Sequence, residues 1–281
     1  VIKVKIEKDS IAPSGIRLTT FVLKYPRFIH SEFMTHRLFS RNASSSRAIP
    51  LNKQIEEIEK EIAYPLNFRK NKAGMQAGES LSLDQQVKAN ILWEFACQNA
   101  IRSAKMINKI CPEGVHKQYL NRLLEPFSHI SVIVTSTDFD NFFALRCHKD
   151  AQPEIEKLAK KMYVEYKSSK PEVLRAGEWH LPFVSEMDKM ELTHTQQMQK
   201  SVACCARVSY NNHDGTNPTI EQNETLYNRL LGSSPIHASP AEHQAMAVGD
   251  KDILSGNFKG WIQFRKTLEN ERIFKFKKEK L

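Results

Sequence analysis

Thirteen consecutive residues, Thr35-His36-Arg37-Leu38-Phe39-Ser40-Arg41-Asn42-Ala43-Ser44-Ser45-Ser46-Arg47, hold three arginines, a histidine and four serines. Guanidinium forks, serine hydroxyls and turn amides together make a phosphate cradle. Each charge-assisted hydrogen bond contributes about 1.5–3 kcal/mol, so a few suffice for micromolar nucleotide binding. The same residues also read as a helix C-terminus whose cations complement its dipole, followed by a serine-rich turn. Residue types alone leave both readings open. Other chemistries find less support. His237, Glu242 and His243 do not form H-E-x-x-H, and no metal site is expected. Neither G-x-G-x-x-G nor G-x-x-x-x-G-K-[ST] occurs, so a Rossmann turn and a P-loop are excluded as nucleotide holders. The five cysteines are odd in number and lack C-x-x-C spacing, which points to a reducing cytoplasm and away from a disulfide framework.

The elements that must position these groups follow from the apolar periodicity. Ile2, Val4 and Ile6 alternate with lysines as in an edge strand, and Leu18 to Tyr25 read as a second strand. From Phe28 to about Ser40 the pattern turns helical, and NASSSR breaks it. Residues 50–83 read as a long polar excursion, either a lid or a disordered loop, most flexible at 71–80. An amphipathic helix runs from Leu83 to about Cys111, with Val87, Ile91, Phe95, Ile101, Ala104 and Ile107 on its apolar face. Val115–Leu124 form a shorter helix and Ile130, Val132 and Val134 a strand. Asp138 is placed to cap the segment FDNFFALR, and Ile155 to Tyr166 form a further amphipathic helix. RAGEWHLPFV reads as a linker in which Trp179 and His180 are buried and satisfied, unless they close over a flat ring. Helices through Cys205 and over Glu221–Leu231 follow. The expected class is α+β, with helices packed on a small mixed or antiparallel sheet, in two blocks, 1–184 and 185–281.

Composition bounds the class. The 281 residues are 41% hydrophobic and 26% charged, as in a folded globular chain. No apolar run reaches the ~18–20 residues of a membrane span, and VIKVKIEKDS has no signal-peptide core. The net charge of +9 suits a polyanionic partner. The basic tail RIFKFKKEKL reads as a solvated end. A basic nucleic-acid-binding protein would show steeply salt-dependent affinity. No such motif occurs, and the arginines gather at a turn rather than along one helix face, so nucleic acid is not the expected partner.

The arginine–serine stretch resembles the signature of flavin-dependent thymidylate synthases, R-H-R followed by seven residues and Ser, then x-Arg. His36, Arg37, Ser45 and Arg47 match, and Thr35 replaces the first arginine. Arg122-Leu-Leu-Glu-Pro126, and Asn141 to Arg146 followed by Ala151-Gln152-x-Glu154-Ile155, are similar to the family's later segments. Ala206-Arg207-Val208-Ser209-Tyr210 and His237-Ala-Ser239-Pro240-Ala-Glu242-His243 resemble its A-R-V-S-[FY] and H-x-[ST]-P-x-E-H. By itself the latter also reads as a turn in which Ser239 caps a helix. In the family these two motifs precede the arginine signature; here they follow it, as in a circularly permuted, phage-like member. Phe33-x3-Arg37-x4-Asn42 recurs as Trp261-x3-Arg265-x4-Asn270, each expected on a junction helix.

The resemblance implies FAD, methylenetetrahydrofolate and NADPH, a pyrimidine deoxynucleotide substrate, and a homotetramer with shared sites. It implies a cytoplasmic enzyme of a bacterial or phage-infected cell. It places Ser44, Ser45, Ser46, Arg47 and Arg122 on the nucleotide's phosphate and sugar, and Arg146 at the pyrimidine ring. Ser45 and Arg146 are the catalytic candidates. It places His36, Arg37, Asn42, Asn141, His237 and Ser239 around the flavin, with Arg265 added from the repeated segment. Reduction by flavin needs no cysteine nucleophile, and no cysteine here has a motif context. Glu32, Thr35 and Ala43 depart from the family pattern, so Gln263 and Arg265 are expected to supply the missing amide and guanidinium. The same departures suit a sister reaction, C5 one-carbon transfer to another pyrimidine nucleotide such as dCMP, leaving methyl or hydroxymethyl.

Overall fold

The computed structural model describes residues 1–74, 76–212 and 215–272. The basic tail beyond Arg272, Met75 in the 71–80 segment and His213-Asp214 lie outside the described residues. In chain order come β1 (Lys3–Ile11), β2 (Arg17–Pro26), α1 (His30–Phe33), β3 (Ser40–Ala43), α2 (Leu51–Lys60) and α3 (Leu83–Asn108). Next are α4 (Lys117–Leu124), β4 (His129–Ser136), α5 (Asp140–Arg146), α6 (Pro153–Ser168), β5 (Glu172–Val173) and β6 (Trp179–His180). The remainder holds α7 (Glu186–Glu191), α8 (His194–Arg207), α9 (Ile220–Leu231), β7 (Ala245–Ala247), β8 (Leu254–Ser255), β9 (Phe258–Lys259) and β10 (Trp261–Gln263). The class is α+β, and among the described residues no helix is long and apolar enough to cross a membrane.

The main sheet has the order β3-β4-β2-β1-β5, antiparallel except for β5, which lies parallel to β1. Val132 and Val134 on β4 alternate as expected, facing Phe21, Phe33, Phe142, Leu158 and Met162 on the side of α5 and α6. Ile133, between them, is buried as well, against Phe183, Cys204, Cys205 and Val208. The sheet is therefore covered on both faces, and α8 supplies the second cover. RAGEWHLPFV is not a free linker. Trp179 and His180 form β6, the edge of a second sheet ordered β10-β7-β6, and His180 is fully buried. The two sheets meet at the β1–β2 turn. Gly260, at φ +69°, brings its backbone so close to Ile16 that a Cβ would lie 2.7 Å from that side chain. Trp261 Nε1 then donates to the Ile16 carbonyl at 3.0 Å.

Three expected elements differ. Residues 50–83 are not all loop: α2 buries Ile55 and Ile58 against α3 and α4, because Leu51, Ile55 and Ile58 recur at helical spacing. The helix α3 forms as expected, capped by Ser82 with Gln85. Of its expected apolar face Ile101 and Ala104 are buried, with Cys97 beside them, while Val87, Ile91 and Phe95 are 50%, 60% and 63% exposed. Neither copy of the repeated segment is a helix. Phe33 ends the four-residue α1, Asn42 lies on β3, Trp261 lies on β10, and Arg265 and Asn270 sit in 3-10 turns.

Candidate active site

The arginine–serine signature lies on a turn and an edge strand rather than at a helix end. Phe33 and Phe39 both pack into the aromatic core, with ring centroids 5.7 Å apart, so the chain between them doubles back in turns instead of continuing α1. From Ser40 to Ala43 it pairs with β4, and Ser44 extends the ladder by donating to the Ser131 carbonyl at 2.9 Å. The dipole reading of the cluster therefore falls away, and its side chains alternate across a sheet edge.

At the head of the signature, His36 packs edge-on against Phe142, with centroids 4.9 Å apart, and accepts from Arg146 Nε through Nε2 at 2.9 Å. Burial first, and then the charges of Arg146 and Arg41, push its pKa down to about 4, so the ring is neutral. Arg146 stands at the C-terminal end of α5 and is partly exposed. Asn141, near the start of the same helix, is exposed. Asp138 accepts from the Asp140 amide at 3.0 Å, but it does not cap the helix as expected: the N-cap is Phe139, with no side-chain capping bond.

The serines divide into two groups. Ser44 and Ser45 line a pocket of about 450 Å³ with Lys24 and Lys53, and its other wall is Arg207, Val208 and Ser209 at the end of α8. Val208 caps that helix in the left-handed conformation, φ +59°, and so turns Ser209 away from the helix axis. Glu57 and His129 complete this pocket; burial pushes His129 down to about 4, so it brings no charge. Ser46, in contrast, is 3% exposed and donates to Glu125 at 2.8 Å. Arg122 also binds Glu125, at 3.0 and 3.2 Å, and Arg27 joins it at 3.1 Å. In this conformation Ser46 spends its hydroxyl on this carboxylate, whereas Arg122, with a side chain 60% exposed, engages it through Nη1 alone. Arg47 is exposed.

Sequence reasoning did not single out Lys24, Lys53 or Arg207. The A-R-V-S-Y segment carried a signal for Arg207, but nothing local in the chain announces the two lysines.

Along the free edge of β3 lies the 3-10 turn Ser239–Glu242. The Asn42 amide, turned so that its nitrogen faces them, meets the carbonyls of Arg41 and Ser239 at 3.0 and 3.2 Å. Ser239 makes no capping bond; its side chain and that of His237 are exposed. Glu242 pairs with Arg265, which also donates to Glu271 at 3.1 Å, and the Glu242 charge raises the pKa of Arg41 against the lowering by burial. Arg265 thus touches the turn that lies beside β3, and it is committed to two carboxylates. Gln263 does not supply an open amide. It is 1% exposed, and its nitrogen donates to Asn257 (2.9 Å), Ser40 (3.2 Å) and the Glu242 carbonyl (3.2 Å).

A flat, phosphate-bearing cofactor needs donors that the protein has not already used. Exposed Arg37, Ser239 and His237 fit that need, partly exposed Asn42 has only its side-chain oxygen left to offer, and Arg265 in its present pairing does not fit. Among the described residues no three His, Cys, Asp or Glu side chains are grouped to hold a metal ion.

A family model described as "Thymidylate synthase complementing protein" matches residues 17–172, more than half of the chain. A flavin-dependent thymidylate synthase from Aquifex aeolicus (strain VF5) is 28% identical over 143 residues, 50% of this chain and 42% of the relative. The chain thus spans less than half of that relative's length in the match. Two crystal structures of a UMP/dUMP methylase, PolB from Streptomyces cacaoi, are also similar. The one bound with 5-Br UMP has a TM-score of 0.48 at 17% identity, over 59% of this chain and 88% of the other. The one bound with 5-Br dUMP has a TM-score of 0.46 at 15% identity, over 59% and 90%.

Proposed function

Because the chain belongs to the thymidylate synthase complementing protein family, we propose that it is a flavin-dependent enzyme that methylates dUMP at C5 to give dTMP, with methylenetetrahydrofolate as carbon donor and NADPH as reductant. The observation that carries this reading is the pocket where Ser44 and Ser45 of the signature face Arg207 and Ser209 of the second block. Two motifs distant in the chain meet there with two lysines, a set of groups that suits a nucleotide monophosphate. Residues 185–281 are read as completing the fold begun by the first block, in permuted order.

Each group has a physical task. Lys24, Lys53 and Arg207 neutralise the phosphate, while the Ser44 and Ser45 hydroxyls orient it. Arg146, held at its Nε by neutral His36 and at its Nη2 by Thr35, presents its Nη1–H groups to a pyrimidine ring and stabilises negative charge developing on the ring carbonyls. Asn42, Arg37, His237 and Ser239 are the groups that would hold FAD. When bound, a reduced flavin supplies the hydride.

The outward stripe of α3, Leu83, Val87, Ile91 and Phe95, recurs every four residues and is at least half exposed throughout. It supports self-association, the homotetramer of the proposal. Ile91→Asp is expected to lower the mass found by sedimentation; an unchanged mass would remove the stripe from the interface.

The direct test is mass spectrometry of the nucleotide product, with protein, FAD, NADPH and methylenetetrahydrofolate given dUMP and dCMP together. Conversion of dUMP alone to dTMP supports the proposal. Modified dCMP or a hydroxymethylated base would favour the second reading, for which Glu32, Thr35 and Ala43 at signature positions speak. FAD binding without any turnover would refute both.

A further inference from the structure

Arg146 has two tethers in this chain. Its Nε donates to His36 Nε2 at 2.9 Å and its Nη2 donates to Thr35 Oγ1 at 3.3 Å. Thr35 Oγ1 in turn gives its own proton to the Glu32 carbonyl at 2.7 Å. The direction of this relay is fixed, because a guanidinium has donors only. Thr35 Oγ1 must accept from the arginine, and His36 Nε2 must be unprotonated. The imidazole therefore carries its proton on Nδ1. Packing against Phe142 and Phe39, with centroids 4.9 and 5.8 Å away, leaves the ring little freedom to flip.

Threonine stands where the resembling signature has its first arginine. An arginine at 35 would set a second cation against the Arg146 guanidinium, whereas the threonine hydroxyl accepts from it. We propose that Thr35 is a positioning residue: its hydroxyl and His36 Nε2 together fix the plane of Arg146, leaving Nη1 free for a carbonyl or oxyanion of the ligand. The same arrangement makes His36 an Nδ1–H donor, and the free Nη1 of Arg146 selects an acceptor on the ligand. The identity of that ligand rests on the proposed function; the geometry of the three side chains does not.

The test is ¹⁵N NMR of the histidine rings and of the Arg146 Nε–H group in the full chain, with kinetics of nucleotide methylation, for wild type, Thr35→Val and Thr35→Ser. Wild type is expected to show His36 as the Nδ1–H tautomer at neutral pH and a slowly exchanging Arg146 Nε–H. Thr35→Val is expected to speed that exchange about tenfold and to lower kcat about tenfold, with KM for the nucleotide changed less than about threefold. Thr35→Ser is expected to restore both. An Nε2–H tautomer in wild type overturns the inference without any variant. So does unchanged Arg146 exchange in Thr35→Val, or a loss of kcat that Thr35→Ser does not rescue. If the resonances behave as expected but wild type makes no methylated nucleotide, the positioning role stands and the proposed function fails.

Discussion

Two polar regions of this molecule are built from the same residue types and do opposite things. One is the seam between the sheets. There Ser10, His180, Thr20, Thr135 and His243 form a chain of hydrogen bonds of 2.9, 2.8, 2.7 and 2.8 Å, all fully buried. The other is the edge formed by β3 and its flanking turns, where Arg37, Ser45, Arg47, Asn141, His237 and Ser239 are exposed. Seam groups spend most of their hydrogen-bonding capacity on one another, with buried His243 Nε2 left without a partner among the described residues, and join β1, β2 and β4 to the second block. Edge groups hold much of theirs in reserve. A histidine or serine is thus structural or ligand-ready according to whether the fold has already completed its partners.

Substitutions that cut one region and leave the other intact sharpen this contrast. The largest effect is expected at the edge: Arg146→Ala should lower kcat about 10²–10³-fold, roughly 3–4 kcal/mol, while the melting temperature stays put. A matching fall in melting temperature would make Arg146 structural and erase the distinction. In the seam, His180→Ala removes the partner of two buried hydroxyls and leaves a cavity. It should cost about 3 kcal/mol of stability by urea unfolding, with activity per folded molecule unchanged.

The seam should also contribute to the pH dependence of stability, beside His36 and His129, whose pKa values burial likewise lowers. Burial lowers the pKa of His180 well below 6.5 and that of His243 to about 3. Below about pH 6.5 the unfolded chain therefore binds more protons than the folded one. Stability is full above that value and is lost as pH falls toward the folded-state values, by up to about 1.4 kcal/mol per pH unit for each histidine. Unfolding midpoints from pH 7 to 4 would check this, and His243→Asn should flatten the slope by one such step. The smallest effect belongs to the pocket. Ser45→Ala should raise KM for the nucleotide about fivefold, roughly 1 kcal/mol, with kcat nearly constant. An unchanged KM would move phosphate recognition away from Ser45.

How legible the molecule was in its sequence differs between these regions. The alternation in β4 and the helical spacings of α3 and α6 announce themselves, since burial on one face repeats with the period of the backbone. The same period does not say which apolar stripe is covered. In α3 the expected Ile101 and Ala104 are buried, together with Cys97, whereas Val87, Ile91 and Phe95 of the same expected stripe stay exposed. The buried state of His180 was legible from its apolar surroundings, but its place on a strand was not, because β6 is two residues long and exists only by pairing with β7. In the candidate site, the signature motif marked Ser44 and Ser45. Lys24 and Lys53 carried no local mark, because they become neighbours only when β2 and α2 close around the same pocket.

Residue types and spacing alone determined the class of elements, the donor-rich stretch from Thr35 to Arg47 and the family it resembles, because those properties are local in the chain. Tertiary structure decided which of those donors remain available. Ser46 is spent on Glu125 and Arg265 on Glu242 and Glu271, whereas Ser44 and Ser45 open onto a pocket whose far wall comes from α8. A hydrogen bond between groups scores of residues apart depends on how the sheets and helices pack, and no spacing within a single segment encodes it.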